Sequence, residues 1–189
     1  MHPLLRRTEV LFEGRGRVLQ ASIALADGVV VEREVSAHGE AAAVLPYDAD
    51  RRTALLVRQL RVGALLVAEA DPFLLEAPAG MVEDEAPDAA AIREALEEAG
   101  VRLRSLTPVG CSYPTAGVSS ERLHLFLAPY GAADRVGQGG GEPSENEHTE
   151  VVELSLSELW RLIDAGQLRD LKTIALGSVL KAKRPELFI

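Results

Sequence analysis

Between Glu76 and Val101 the chain reads EAPAGMVEDEAPDAAAIREALEEAGV, and this stretch limits what the rest can build. Its second half, Arg93-Glu94-Ala95-Leu96-Glu97-Glu98-Ala99-Gly100, has the pattern of a helix. At about 100° per residue, Glu94, Glu97 and Glu98 share one face, and Ile92, Ala95, Leu96 and Ala99 are expected on the opposite one. Like charges at this spacing repel, so a helix shaped by stability alone alternates sign. A divalent cation that prefers oxygen ligands removes the repulsion. Gly100 is placed to close the helix in a left-handed cap. Upstream, Pro78-Ala79-Gly80 predicts a non-helical loop that can bring a backbone carbonyl to the same ion.

The rest of the chain supplies strands and two further helices. Thr8–Phe12, Arg17–Leu25 and Val29–Val35 read as three short strands, with Asp27-Gly28 as a hairpin signal. Large apolar residues are too few there for an independent core, so this small sheet needs a neighbour. Strands follow at Ala41–Pro46, Thr53–Gln59, Phe73–Glu76, Leu106–Cys111, Glu121–Ala128 and Glu150–Leu154. Residues 63–71 are expected to be irregular. Residues 131–149 lack periodicity and are rich in Gly and acid, the mark of a connector or a functional loop. Ser155 or Ser157 caps a helix to about Ala165, and Asp170 caps a last one over Leu171–Lys183. The order predicts an α+β fold.

The 189 residues carry a net charge of −9, which argues against nucleic acid or an anionic membrane as a partner. No apolar run reaches the ~18 residues of a membrane span, and no signal peptide is evident. The single cysteine, Cys111, excludes an internal disulfide and fits a reducing cytoplasm. His38, His124 and His148 have no second histidine at ligand spacing, so zinc is not expected. Arg58 and Arg61 lie three apart on a strand and fall on opposite faces, so one of them can face a phosphate or a base.

The ordered set Gly80, Glu85, Arg93, Glu94, Glu97, Glu98, Gly100 and Val101 resembles the Nudix box, a Gly and a loop Glu followed by Arg-Glu-aliphatic-x-Glu-Glu-x-Gly-aliphatic. The interval from Gly80 to Arg93 is one residue shorter than the usual pattern, and Ala95 replaces a bulkier aliphatic. The resemblance covers about residues 38–183. It implies an α/β/α sandwich over residues 38–189, preceded by a small antiparallel sheet over residues 1–37 that serves dimerisation and substrate.

Further features are similar to the nucleoside-diphosphate-sugar branch of that family. They are the leading sheet, Glu76–Gly80, the Pro114–Gly117 turn, the Glu145-Asn146-Glu147 loop and Asp170-x-Lys172-Thr173. The short interval after Gly80 and the Gly-Gly-Gly run look more like the GDP-mannose type than the ADP-ribose type. The reaction implied is metal-dependent hydrolysis of a pyrophosphate bond. The metal ligands implied are Glu94 and Glu98 with the Ala79 carbonyl, and Glu97 bridging, for Mg²⁺ or Mn²⁺. Arg93 is expected to hold helix and loop together. Glu145, then Glu147, is the expected base. Substrate contacts are expected from Arg58 or Arg61, Glu76, Gly80, Gly117 and Glu121, and from Arg33 or Glu34 across a homodimer. Two alternatives stand beside this reading. One is a Nudix hydrolase acting on nucleoside triphosphates or another nucleoside diphosphate derivative. The other is a non-catalytic nucleotide-binding module of the same fold.

Overall fold

The computed structural model describes residues 2–14, 16–68, 70–141 and 149–189. Glu145, Glu147 and His148 lie outside the described residues.

Three antiparallel strands, β1 (Leu4–Glu13), β2 (Arg17–Ala24) and β3 (Val30–Ala37), form the small sheet in the order β1-β2-β3. The β2–β3 turn follows its sequence signal: Gly28 takes φ 88, and the Asp27 carboxylate accepts the Val29 N–H at 3.0 Å. Every residue of β1 is exposed, among them Leu4, Leu5, Val10, Leu11 and Phe12. The small sheet is tied to the rest by backbone: Ser36 N–H donates to Val118 O at 2.8 Å, and Ser120 N–H to Ser36 O at 3.0 Å.

The larger sheet is built around β4 (Glu40–Asp48), almost wholly buried. Beside it run β5 (Thr53–Leu60), β6 (Phe73–Glu76), β7 (Ala79–Met81), β8 (Thr107–Ser112), β9 (Arg122–Pro129) and β10 (Glu150–Ser155). The order is β10-β5-β4-β9-β8, with β6 pairing β5 and β7 pairing β4. Only the β4–β9 pair is parallel among these described strands.

Helices cover both faces. Between β5 and β6 lies α1 (Val62–Leu66), and α2 (Pro87–Ala99) carries the acidic motif. The C-terminal pair is α3 (Leu156–Asp164) and α4 (Leu171–Lys183). Alternation along β4 decides the layers. Ala41, Ala43, Leu45 and Tyr47 face a core shared with α3 and α4, whereas Ala42 and Val44 face a core shared with α2. The fold is therefore an α/β/α sandwich with a small antiparallel sheet appended, as the resemblance implied.

The structure corrects several local expectations. Residues 62–66 form a helical turn that runs into the segment expected to be irregular, and its apolar residues Val62, Leu65 and Leu66 are exposed. Ala79–Met81, expected to be loop, adds a short strand to β4, with Ala42 opposite Gly80. Residues 131–141 are neither loose nor featureless. A 3₁₀ turn at Ala132–Asp134 is closed by the Asp134 carboxylate on Gly131 N–H at 3.0 Å, and the glycines beyond it dock on the end of α2.

Candidate active site

The acidic face of α2 turns inward. Ala90, Ala91, Glu94, Ala95, Glu98 and Ala99 are its buried residues, so Glu94 and Glu98 share a face with the alanines instead of opposing them. Leu96, expected on the face opposite the carboxylates, is 41% exposed. The reason is packing: α2 lies on small side chains, and the space beneath Glu94 and Glu98 is filled by the backbone of β7. A Cβ on Gly80 would stand 1.8 Å from Glu94 Oε1. Only glycine lets the strand come so close to that carboxylate. Beside it, Ala79 N–H donates to Glu98 Oε2 at 2.9 Å, and Gln59 Nε2 reaches Glu98 Oε1 at 3.4 Å.

Arg93 holds this arrangement from the solvent side. Its Nε donates to Glu85 at 2.9 Å, Nη1 to Glu94 at 2.7 Å and Glu97 at 2.9 Å, and Nη2 to the Met81 carbonyl at 3.1 Å. One guanidinium thus joins helix, loop and strand. Partial burial lowers its pKa, but Glu85, Glu94 and Glu97 outweigh this and raise it above the usual arginine value.

A second cluster lies at the end of β6. Glu76 is 1% exposed and takes a bidentate pair from Arg61, Nε to Oε1 at 2.6 Å and Nη2 to Oε2 at 2.5 Å. Lys172 also donates to Glu76, and to Asp170 at 2.9 Å. Burial pushes the Glu76 carboxyl up, but Arg61 and Lys172 together overcome this and hold it below the usual carboxylate range. Asp170 caps α4 through Thr173 N–H at 2.9 Å, and Thr173 Oγ1 accepts the buried Ala77 N–H at 2.6 Å. Glu76, expected among the substrate contacts, accepts from both Arg61 and Lys172.

Arg58 near the end of β5 and Arg61 just beyond it part as their spacing predicted. Arg61 turns to the Glu76 cluster. Arg58 turns to the α3–α4 side, where it pairs with Asp71 at 2.9 Å, covers the Phe73 ring at 5.0 Å and lines a cavity of about 300 Å³ with Leu168 and Arg169. Arg58 is therefore not brought to the carboxylates. Arg33 bonds the Glu32 carbonyl within the exposed part of β3, beside Glu34. Gly117 sits in the turn closed by Val118 and Ser119 N–H on Thr115 O, and Ser119 Oγ accepts the Glu121 N–H at 3.1 Å. Gln59 and Lys172 were absent from the residues expected at the site. Gln59 could have been found from its parity with Arg61, and Lys172 from its place just inside the Asp170 cap.

Residues 37–176 match the NUDIX domain. The chain belongs to the NUDIX family. A GDP-mannose pyrophosphatase of Cronobacter sakazakii (strain ATCC BAA-894) is 39% identical over 152 residues, covering 79% of this chain and 78% of the relative. A GDP-mannose pyrophosphatase of Escherichia coli O1:K1 / APEC is 34% identical over 157 residues, covering 82% and 81%. Among solved structures, an ADP compounds hydrolase superposes with a TM-score of 0.78 at 19% identity, covering 98% of this chain and 96% of that one. That last likeness speaks for the fold alone.

The NUDIX box implies a divalent metal, and its donor chemistry is present. Glu94, Glu97 and Glu98 offer hard carboxylate oxygens, and the missing side chain at Gly80 lets the Glu94 carboxylate lie against β7. Among the described residues, no three His, Cys, Asp or Glu side chains stand together as a ready-made metal site. Arg93 engages Glu94 and Glu97, and the Ala79 N–H engages Glu98, so a cation has to compete with these contacts.

Proposed function

We propose that this protein hydrolyses the pyrophosphate bond of a nucleoside diphosphate sugar, releasing a nucleoside monophosphate and a sugar phosphate. GDP-mannose is the first choice of substrate and ADP-ribose the second. One observation carries the reading: α2 buries Glu94 and Glu98 on its core-facing side, against a strand whose Gly80 leaves room for nothing else. Burying carboxylates is costly unless their charge is matched, and apolar residues would serve stability better. The names of the relatives support the substrate class.

Glu94 and Glu98, with Glu97 and the Ala79 carbonyl, would hold Mg²⁺ or Mn²⁺. Bound there, such an ion neutralises the diphosphate and makes a water more acidic. The chain's own residues do the rest. Arg61, aimed by buried Glu76, offers the remaining edge of its guanidinium to phosphate oxygens. Arg93 holds the Glu85 loop and β7 against α2. Glu145, or Glu147 in its place, takes the proton of the attacking water. Gly117, Glu121 and the Gly80 backbone line the substrate.

The small sheet over residues 1–37 pairs with a second copy, and Arg33 or Glu34 then reaches the partner's site. The exposed apolar residues of β1 support this, since apolar surface of that kind marks interfaces. Among the described residues no helix is long and apolar enough to cross a membrane. A reducing cytoplasm suits the single exposed Cys111.

The test is phosphate release, coupled to a phosphatase, across GDP-mannose, ADP-ribose, other nucleotide sugars and nucleoside triphosphates with Mg²⁺. The expected result is a clear preference for GDP-mannose. A preference for triphosphates would overturn the substrate assignment and keep the box. No turnover of any of them would overturn the reaction.

A further inference from the structure

The last turn of α2 ends inside a collar of backbone donors. Helices leave their final carbonyls without intrahelical partners. Here Gly140 N–H donates to Glu98 O at 2.9 Å and Gly141 N–H to Glu97 O at 3.3 Å. Val136 and Gly137 N–H both donate to Gly100 O, at 3.0 and 3.1 Å. The contact is glycine against glycine. A Cβ on Gly139, at φ 69, would lie 2.3 Å from Glu98 O and 2.8 Å from the Val151 side chain. One on Gly100, at φ 65, would lie 2.3 Å from Gly137 O. Two positive-φ glycines facing each other leave no room for a side chain on either.

The carbonyls chosen by Gly140 and Gly141 belong to two of the three box carboxylates. A helix C-terminus carries partial negative charge, which acts against carboxylates in the same turn. Four inward N–H dipoles offset it at that point. They also fix the backbone from which Glu97 and Glu98 project.

We propose that the run Gly139–Gly141 is a positioning element for the cation-binding carboxylates. It acts through the main chain of Glu97 and Glu98, and it rests on the assignment of those side chains to a divalent metal. Precise sites need rigid supports of this sort, because ligands left to flexible segments lose their aim.

The test compares Gly139→Ala with Gly137→Ala, whose added Cβ would meet nothing nearer than Gly100 Cα at 3.7 Å. The readouts are Mn²⁺ affinity by calorimetry and amide exchange at Gly140 and Gly141. In folded Gly139→Ala both amides should exchange faster, and Mn²⁺ should bind about tenfold more weakly, with turnover recovering in excess Mn²⁺. Gly137→Ala should match the natural protein in all three. Folded Gly139→Ala with Mn²⁺ affinity within about twofold of natural would overturn the proposal. If Gly139→Ala does not fold, Gly140→Ala takes its place with the same thresholds. At φ 113 it is strained, yet its nearest neighbour is Thr149 O at 3.7 Å. Natural protein that binds no Mn²⁺ would defeat the metal assignment and the collar's role with it, whereas normal binding with an indifferent variant defeats the collar alone.

Discussion

Glu98 sits where the packing of α2 calls for another alanine. Its neighbours on that face, Ala91, Ala95 and Ala99, are fully buried, and it is itself 2% exposed. An exposed ligand would tolerate substitution because water surrounds it; Glu98 should tolerate Gln because Ala79 N–H keeps an oxygen acceptor and a buried charge is lost. Glu98→Gln is therefore expected to keep or raise Tm while kcat falls at least about a hundredfold. Retention of more than a tenth of natural kcat, or loss of the fold, would remove Glu98 from its role. Glu76 makes a prediction in pH. Its carboxyl is held below the ordinary 4.5, so its stabilisation is complete above that value and fades as pH falls through the lower folded value. Urea unfolding between about pH 7 and pH 3 should show a shallower acid loss in Glu76→Gln than in the natural chain. Parallel curves would mean that Glu76 titrates alike in folded and unfolded protein.

At the level of elements, β6 and α4 are joined where the second cluster forms. Thr173 is buried, accepts the Ala77 N–H and donates to Asp170, the cap of its own helix. Thr173→Val keeps the shape and orphans that N–H, at a cost of about 1–3 kcal/mol. Thermal or urea unfolding measures it, and a loss under about 0.5 kcal/mol would mean that water replaces the hydroxyl. This joint also shows where sequence reasoning stops. The strands of the small sheet, most of the large sheet and helices α2, α3 and α4 were legible because period, caps and turns are local signals. So was the box, since its eight positions are close in sequence. The inward turn of Glu94 and Glu98 was not, because amphipathic reasoning assigns carboxylates to water, and the backbone of β7 reverses that rule. Nor was the order in residues 136–141. Its donors answer carbonyls 36 to 44 positions earlier, and glycine runs carry no periodicity. Arg58 and Arg61 could be separated by parity, but which one faced Glu76 depended on the path of β6.

For the molecule as a whole, the small sheet poses the main question. A ten-residue strand with every residue exposed, five of them large and apolar, is an aggregation hazard unless something covers it. Light scattering is expected to give twice the mass of one chain, and Phe12→Glu to give single chains with reduced turnover. A natural chain that stays single at about 100 µM would reject the pairing, since stable interfaces of ordinary size bind more tightly than that.

Finally, helix α2 rests on methyl groups. Ala90, Ala91, Ala95 and Ala99 form its seat against the sheet, and alanine has no rotamers to lose or regain. Warming cannot loosen such a seat by degrees, as it can one made of long side chains. Inactivation on heating should therefore coincide with global unfolding, measured by turnover and circular dichroism in the same ramp. A fall in activity well below Tm would show that the seat gives way first.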